Sequence, residues 1–385
     1  MPVIFLVLAL LGFSLSAQTT FESPLKAKLA AALETPMSTG MNVEAALTAW
    51  FAAEKATDLA AKEAHYKAGL AALENLQPLP QAKWPDNPTD TPFKVLETIV
   101  YESFTKAGLT IEVVEFEVDE LTQYGVQVRP STGGPYPMAV YLHGAAFGVP
   151  SYQLSPMGRM ALDGYVVVAP ALRGEDLFVS QSVPTKKPYK CEGHIENLLG
   201  EPRDVLAIAD GASKQSFVKV GKFALVGHSF GSGAGLLAAE RTDKVACVVS
   251  YDAWFVNPFY FYWLRLSGGS KYYWESWEYF LEKPIAEQLS GLMARSSAHH
   301  TDRLTAPVLL FVGEFDGPGY HTSHEYMASE LKENNKPHQH IVIPGGGHNF
   351  VLYNDEPARK AEVIQRAFLH KHLPPVAVPR GTAKP

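Results

Sequence analysis

Five residues constrain this chain more than any others: Gly227-His228-Ser229-Phe230-Gly231. They follow an apolar run over residues 223–226 that reads as a strand, and they precede a Gly- and Ala-rich stretch over residues 231–241 that reads as a helix. A strand that gives way to a helix within so few residues must turn sharply. The glycines flanking the turn spare it Cβ clashes, and the residue at its apex is lifted with its side chain exposed. A serine placed there presents its Oγ at a helix N-terminus, where developing negative charge is favoured. The pentapeptide alone is common; its place between strand and helix makes it specific and marks Ser229 as a candidate nucleophile.

A serine hydroxyl attacks effectively only when a base takes its proton. Gly345-Gly346-Gly347-His348-Asn349-Phe350 follows the last strand-like run, residues 340–343, and its glycines allow His348 to reach the turn as that base. Two carboxylates could orient the imidazole. Asp316 ends the segment Phe311-Val312-Gly313-Glu314-Phe315-Asp316 after a strand over 308–312 and is the favoured one. Asp252, in Ser250-Tyr251-Asp252-Ala253-Trp254 after a strand over 245–249, is the alternative. Both strand ends face the same edge, so either can fix the ring tautomer and stabilise the imidazolium. Glu314 reads as a solvated loop acid. Acyl transfer also needs donors for an oxyanion. The N–H of Phe230 is one, and the loop His143-Gly144-Ala145-Ala146-Phe147-Gly148, after a strand over 138–142, offers Ala145 as the second with Ala146 as the alternative. His143 itself reads as a structural residue of that loop.

The rest of the chain sets this constellation in an alternating frame. Apolar runs over 138–142, 165–169, 223–226, 245–249, 308–312 and 340–343 read as strands buried on both faces. Residues 111–118 alternate apolar and charged side chains, as an edge or outer antiparallel strand does. Helical patterns fall between these runs, over 155–162, 204–212, 231–241, 323–333 and 356–370, which is the arrangement of a largely parallel sheet covered by helices. Residues 42–76, with Val43, Leu47, Trp50, Phe51, Leu59, Leu70 and Leu73, read as one or two amphipathic helices expected to pack on the main domain. Prolines 78, 80, 85, 88 and 92 mark a linker, and the Pro-rich residues 374–385 read as a disordered tail.

Composition narrows the partners. Of the 385 residues 46% are hydrophobic and 19% charged, which excludes a disordered or coiled-coil chain. Lys and Arg number 33 against 40 Asp and Glu, a net charge of −7 with no basic cluster, so nucleic acid is not an expected partner and a small-molecule or short acyl or peptide substrate is. Cys191 and Cys247 read as free thiols. The histidine pairs 299/300, 321/324 and 338/340 lack metal-site spacing, and no metal or cofactor is expected. Residues 3–13 are almost wholly apolar and lead into Ser14-Leu15-Ser16-Ala17-Gln18, the pattern of an export signal cleaved near Ala17. The run is too short for a comfortable membrane span, so no stable membrane insertion is expected; since no Lys or Arg precedes it, an uncleaved anchor is the alternative.

Strand, elbow and helix, oxyanion loop, acid and histidine, in that setting over residues 93–373, resemble the α/β-hydrolase superfamily. Within it, Pro170-Ala171-Leu172-Arg173-Gly174-Glu175 followed by Gly200-Glu201-Pro202-Arg203-Asp204-Val205-Leu206-Ala207 resembles the catalytic domain of prolyl-oligopeptidase-type serine peptidases, a pattern shared by dienelactone-hydrolase-like esterases. Those peptidases usually carry a β-propeller that filters peptides, whereas residues 18–92 here read as a helical extension and linker. Gly227-His228-Ser229-Phe230-Gly231 with Tyr251-Asp252-Ala253-Trp254-Phe255 is also similar to the platelet-activating-factor acetylhydrolases, where the aspartate of the Asp-Ala-Trp segment serves the triad. That similarity implies a role for Asp252, while the more widespread position is that of Asp316.

Residues 253–300 interrupt the alternation and are crowded with aromatics, including four of the six tryptophans. They are expected to form a cap over the catalytic edge, with Phe147, Trp254 and Phe255 as pocket residues. The expected function is an exported serine hydrolase of the α/β class that cleaves an acyl bond, foremost a carboxylic ester. The alternatives are a peptidase using the same residues and a hydrolase fold that binds a ligand without turnover.

Overall fold

The computed structural model describes residues 23–145, 147–179, 183–268 and 282–379. The expected export signal and six of the insertion's aromatics, Tyr272, Tyr273, Trp274, Trp277, Tyr279 and Phe280, lie outside them.

The apolar runs become the parallel strands β4 (Met138–Leu142), β5 (Val166–Pro170), β6 (Phe223–His228), β7 (Val245–Tyr251), β8 (Val308–Gly313) and, at the sheet edge, β9 (His338–Ile343), where Ile343 alone is buried and the expected burial on both faces is not met. They pair in parallel in the order β5-β4-β6-β7-β8-β9. Even where sequence alternation is hidden, side chains still alternate in space. Val140, Leu225, Val248 and Leu310 join one apolar layer, while Ala139, Val226, Val249 and Phe311 join the other. Both layers are covered, so every position of β4, β5, β6 and β8 is buried. Each fully buried Val, Leu or Phe contributes roughly 1.5–3 kcal/mol.

Three antiparallel strands extend the sheet beyond β5: β1 (Phe93–Ile99), β2 (Leu109–Val118) and β3 (Leu121–Pro130). β2 is therefore second from the edge, with β1 outside it. Helices α5 (Leu154–Leu162) and α11 (Glu356–His372) cover the second layer. Helices α6 (Glu201–Ser213), α7 (Ser229–Ala239) and α10 (Pro318–Glu333) cover the first. A short helix α4 (Glu102–Lys106) joins β1 to β2.

The N-terminal segment forms α1 (Pro24–Ser38), α2 (Glu44–Lys55) and α3 (Leu59–Ala71). Leu29, Leu33 and Met37 of α1 and Leu47 and Trp50 of α2 are buried. They face the insertion after β7, whose helices are α8 (Pro258–Leu266) and α9 (Ile285–Ala294). Trp263 donates its indole N–H to the Ala30 carbonyl at 2.6 Å, and Asn257 donates to the Ser38 carbonyl at 2.9 Å, closing the C-terminal turn of α1. The extension thus packs on the insertion. The expected C-terminal tail is in part a docked segment: Val376 donates its N–H to the Gly164 carbonyl at 3.3 Å, and Val376 and Val378 lie against the core, because these two side chains are apolar.

One buried ion pair ties the loop after β5 to α6. Arg173, 4% exposed, donates to both oxygens of the fully buried Asp204, with Nη2–Oδ1 at 2.7 Å, and reaches Asp119 at 2.9 Å and Glu196 at 2.6 Å. Replacing it strands a buried carboxylate. Arg173→Met is expected to lower unfolding free energy by about 3–5 kcal/mol in urea, while Arg173→Met with Asp204→Leu recovers much of that loss. A double variant as unstable as the single one contradicts this account.

Buried imidazoles set an acid limit. His299 is held down to about 3, and His228 and His324 to about 4, in each case by burial. In the unfolded chain they titrate near 6.5. Between about pH 6.5 and 4 the unfolded chain binds protons that the folded one refuses, so stability falls as pH drops, by up to about 1.4 kcal/mol per pH unit for each histidine. Urea midpoints at pH 7, 6 and 5 should fall in that order, and less steeply for His299→Gln. An unchanged slope in that variant contradicts the assignment.

Candidate active site

β6 ends at His228 and α7 begins at Ser229 with no linking loop, so Ser229 sits at a φ of +50°. Such backbone costs a non-glycine residue energy and persists only where its surroundings enforce it. Here they do. A Cβ on Gly231 would collide with the carbonyl oxygen of His143, to which the Gly231 N–H donates at 3.0 Å. Trp254 donates its own N–H to the Ser229 carbonyl at 2.9 Å. The turn is therefore clamped from β4 on one side and β7 on the other.

Ser229 Oγ lies 2.9 Å from His348 Nε2, and His348 Nδ1 lies 2.9 Å from Asp316 Oδ2. A carboxylate can only accept, so Nδ1 carries the proton and Nε2 is free to accept from Oγ. Asp316 also accepts from the Gly317 N–H at 2.7 Å, and its side chain is 4% exposed against 29% for His348. His228 donates from Nε2 to the His348 carbonyl at 2.9 Å, and the Tyr320 ring of α10 stands 4.5 Å from the imidazole. These two neighbours fix the histidine loop and were not singled out in the sequence. His228 lay in plain view within the pentapeptide, whereas the position of Tyr320 depends on how α10 packs.

Asp252 lies behind this chain of contacts. It is fully buried at a φ of +44°, its N–H donates to the Phe311 carbonyl at 2.9 Å, and its Oδ1 accepts from the Gly313 N–H at 2.7 Å. Burial pushes its carboxyl up to about 9, with the neighbouring Asp316 acting in the same direction. Asp316, not Asp252, makes the hydrogen bond to the histidine ring. Glu314 is exposed and accepts from the Gly345 N–H at 2.7 Å, which braces the glycine loop.

The Phe230 N–H belongs to the first turn of α7, where amides have no intrahelical acceptor. Ala145 is held at a φ of +58° in the loop after β4. A Cβ on Gly144 would lie 3.1 Å from that of Ser229 and 2.5 Å from His228 Nδ1, so this loop runs directly across the nucleophile turn. Ala146 lies outside the described residues. His143 is buried 3.1 Å from Glu175, which raises its pKa against the downward pull of burial; it braces the loop.

The pocket expectation needs correcting in part. Phe147 is 69% exposed and Trp254 half-buried, its ring tilted against that of Phe230 at 5.4 Å. Phe255 is 2% exposed, under Trp254 at 4.2 Å and against Phe261 at 5.4 Å, so it supports the wall from inside the core. Phe259, Phe261 and Tyr262 of α8 are buried likewise, because a helix this aromatic packs on its neighbours before it lines a cavity. His299, His300 and His324 are engaged with the Ser38, Ser296 and Tyr320 carbonyls respectively. Among the described residues, the one trio placed to hold a metal ion is Asp252, Asp316 and His348, and both nitrogens of His348 are already engaged.

The model of the prolyl oligopeptidase family matches residues 157–374. Comparison with curated protein sequences finds no match. Among solved structures, the chain is similar to acetyl xylan esterase 1 from a Thermoanaerobacterium species, with a TM-score of 0.54 and 18% identity over 74% of this chain and 89% of that one. It is similar to the acylaminoacyl peptidase of Pyrococcus horikoshii, at 0.53 and 16% over 70% of this chain and 42% of that one. Dipeptidyl peptidase 4 of Porphyromonas gingivalis matches at 0.51 and 16% over 75% and 36%. The chain thus spans less than half the length of either peptidase. At these identities the structures share the α/β-hydrolase fold alone. The family match covers more than half of the chain and includes the nucleophile turn, Asp316 and His348: the protein belongs to the prolyl oligopeptidase family and is a serine hydrolase.

Proposed function

We propose that the protein is an exported esterase in which Ser229 is the nucleophile, His348 the base and Asp316 the orienting acid. The observation that carries this reading is the unbroken chain of contacts from Ser229 through His348 to Asp316, 2.9 Å at each joint. Oγ attacks the acyl carbonyl as its proton passes to Nε2, and Asp316 stabilises the imidazolium. The N–H groups of Phe230 and Ala145 face the oxyanion. The leaving alcohol takes the proton from Nε2, and water releases the acyl group by the reverse path.

The ester preference rests on what surrounds the site. The Tyr320 ring stands 4.5 Å from that of His348, and Trp254, whose N–H is bonded to the Ser229 carbonyl, stands 5.4 Å from Phe230; such rings beside the site suit a neutral acyl group better than a charged peptide terminus. Residues 24–38, 44–55 and 59–71 are helices, and the first of them is bonded to the insertion through Trp263 and Asn257. The family match favours a second reading, hydrolysis of aminoacyl or short peptide amides by the same residues.

Fluorophosphonate labelling and turnover of matched p-nitrophenyl esters and aminoacyl amides test both. The wild type should label; Ser229→Ala should not, with kcat lower by about 10⁶-fold. Esters should exceed amides in kcat/KM, and amides ahead would assign the peptidase reading. A wild type that neither labels nor turns over any acyl substrate contradicts the catalytic reading and leaves a ligand-binding hydrolase fold.

Export rests on the apolar residues 3–13 and the small residues that follow. Amino-terminal sequencing of the protein recovered outside the cytoplasm should begin near Gln18. Recovery with Met1 intact contradicts it.

A further inference from the structure

Two buried carboxylates stand together beneath the histidine. One oxygen of Asp252, one of Asp316 and a ring nitrogen of His348 lie within 4.8 Å of one another. Asp252 is fully buried and the Asp316 side chain 4% exposed. Two negative charges so close and so dry repel strongly, and a site of this kind retains a proton. The hydrogen bonds say which group holds it. Asp316 accepts from two N–H groups, Gly317 N and His348 Nδ1, and both favour its ionised form. Asp252 accepts from one, Gly313 N on Oδ1, while its Oδ2 is buried with no donor in reach. An acceptor so placed is costly; the same oxygen carrying a proton becomes a donor, and the Asp316 carboxylate is there to accept.

We propose that Asp252 is a positioning residue held in its neutral acid form, donating its carboxyl O–H to Asp316 so that Asp316, ionised, stays aimed at His348. The pair then carries one proton and one negative charge. Neither moves during acyl transfer; the single travelling proton is that of Ser229, to Nε2. The backbone is built for the contact. A φ of +44° at Asp252 turns its side chain back under β8, and the adjoining Ala253 N–H is fixed by His324 Nε2 at 3.2 Å.

The arrangement sets an alkaline limit. The Asp252 proton is held up to about pH 9. The other titratable groups that act on the pair are His348, bonded to Asp316, His228 at the end of β6, Tyr251 on β7 and His324 on α10, with Tyr320 against the His348 ring. His228 and His324 are neutral above about pH 4, and burial drives Tyr251 well above its ordinary range. Loss of the Asp252 proton sets two carboxylates against each other, and the aim of Asp316 fails.

This inference rests on the proposed roles of Ser229, His348 and Asp316, so its test reports on Ser229 directly and needs no natural substrate. The rate of labelling by a fluorophosphonate is measured from pH 6 to 10 for wild type, Asp252→Asn, Asp252→Ala and Ser229→Ala. Asn can accept from Gly313 and donate to Asp316 as the neutral acid does. Asp252→Asn should therefore label within about threefold of wild type at pH 7 and lose the decline toward pH 10, while Asp252→Ala should label slower by about tenfold or more. The infrared difference spectrum of wild type minus Asp252→Asn should contain a protonated-carboxyl band, the contribution of other buried carboxyls such as Glu240 cancelling, a readout that does not depend on Asp252→Ala folding. A loss of 100-fold or more in Asp252→Asn makes Asp252 an ionised acid and overturns the proposal, as does a protonated-carboxyl band that the Asn substitution leaves unchanged. If Ser229→Ala still labels, the reading of the nucleophile itself fails, an outcome distinct from either.

Discussion

The turn at Ser229 is the constraint on which the site depends. A serine at φ +50° between a buried strand and a buried helix is an unfavourable local state, and the structure holds it with contacts from elements on both sides: the Gly231 N–H on the His143 carbonyl from β4, and the Trp254 N–H on the Ser229 carbonyl from the segment after β7. Those bonds also set everything else in register. The loop after β4 cannot move without Gly231, and the Asp252–Trp254 segment cannot move without Ser229. A strained backbone thus becomes the reference point for the loop after β4 and for the buried Asp252.

A second layer of buried charge fixes the surroundings. Arg173 with Asp204, and His143 with Glu175, anchor the segment after β5 to α6 and to the loop after β4, each with little or no exposure. Buried pairs of this kind add little net stability over an apolar core, but either partner alone is costly, so they specify one arrangement of the loops at the sheet edge. The Asp252–Asp316 pair obeys the same economy with two acids, where a shared proton takes the place of a counter-ion.

Much of this was legible in the sequence because burial on both faces leaves a plain mark. Strands β4 to β8 are largely continuous apolar runs, whereas the edge strand β9 opens on His338-Gln339-His340 and is buried only at Ile343; the candidate serine, favoured acid and histidine follow the ends of β6, β8 and β9. What escaped is equally physical. β1, Phe-Lys-Val-Leu-Glu-Thr-Ile, and β3, with Gln127 and Arg129, carry polar side chains paired across the sheet: Lys94 pairs with Glu115, and Gln127 and Arg129 both donate to Glu112 of β2. A strand whose polar groups are satisfied by its neighbour does not look like a strand until the neighbour is known. The insertion misled in the opposite sense. Its rings suggest a pocket, yet among the described residues Phe259, Phe261 and Tyr262 of α8 are buried, and Phe255 lies beneath the wall it was expected to form. The two acids stayed undecided because both strand ends reach the same edge, and the choice turns on the Nδ1 contact, which spacing does not encode.

The central claim is that an acyl group passes through Ser229 Oγ. Rapid acid quench of the wild-type protein during turnover of p-nitrophenyl acetate, followed by peptide mapping in the mass spectrometer, tests it at the atom concerned. One acetyl group on the peptide that contains Ser229, localised to that residue, is the predicted result. Acetyl on another residue under burst conditions, or turnover with no acyl-enzyme in a deacylation-limited regime, contradicts the account.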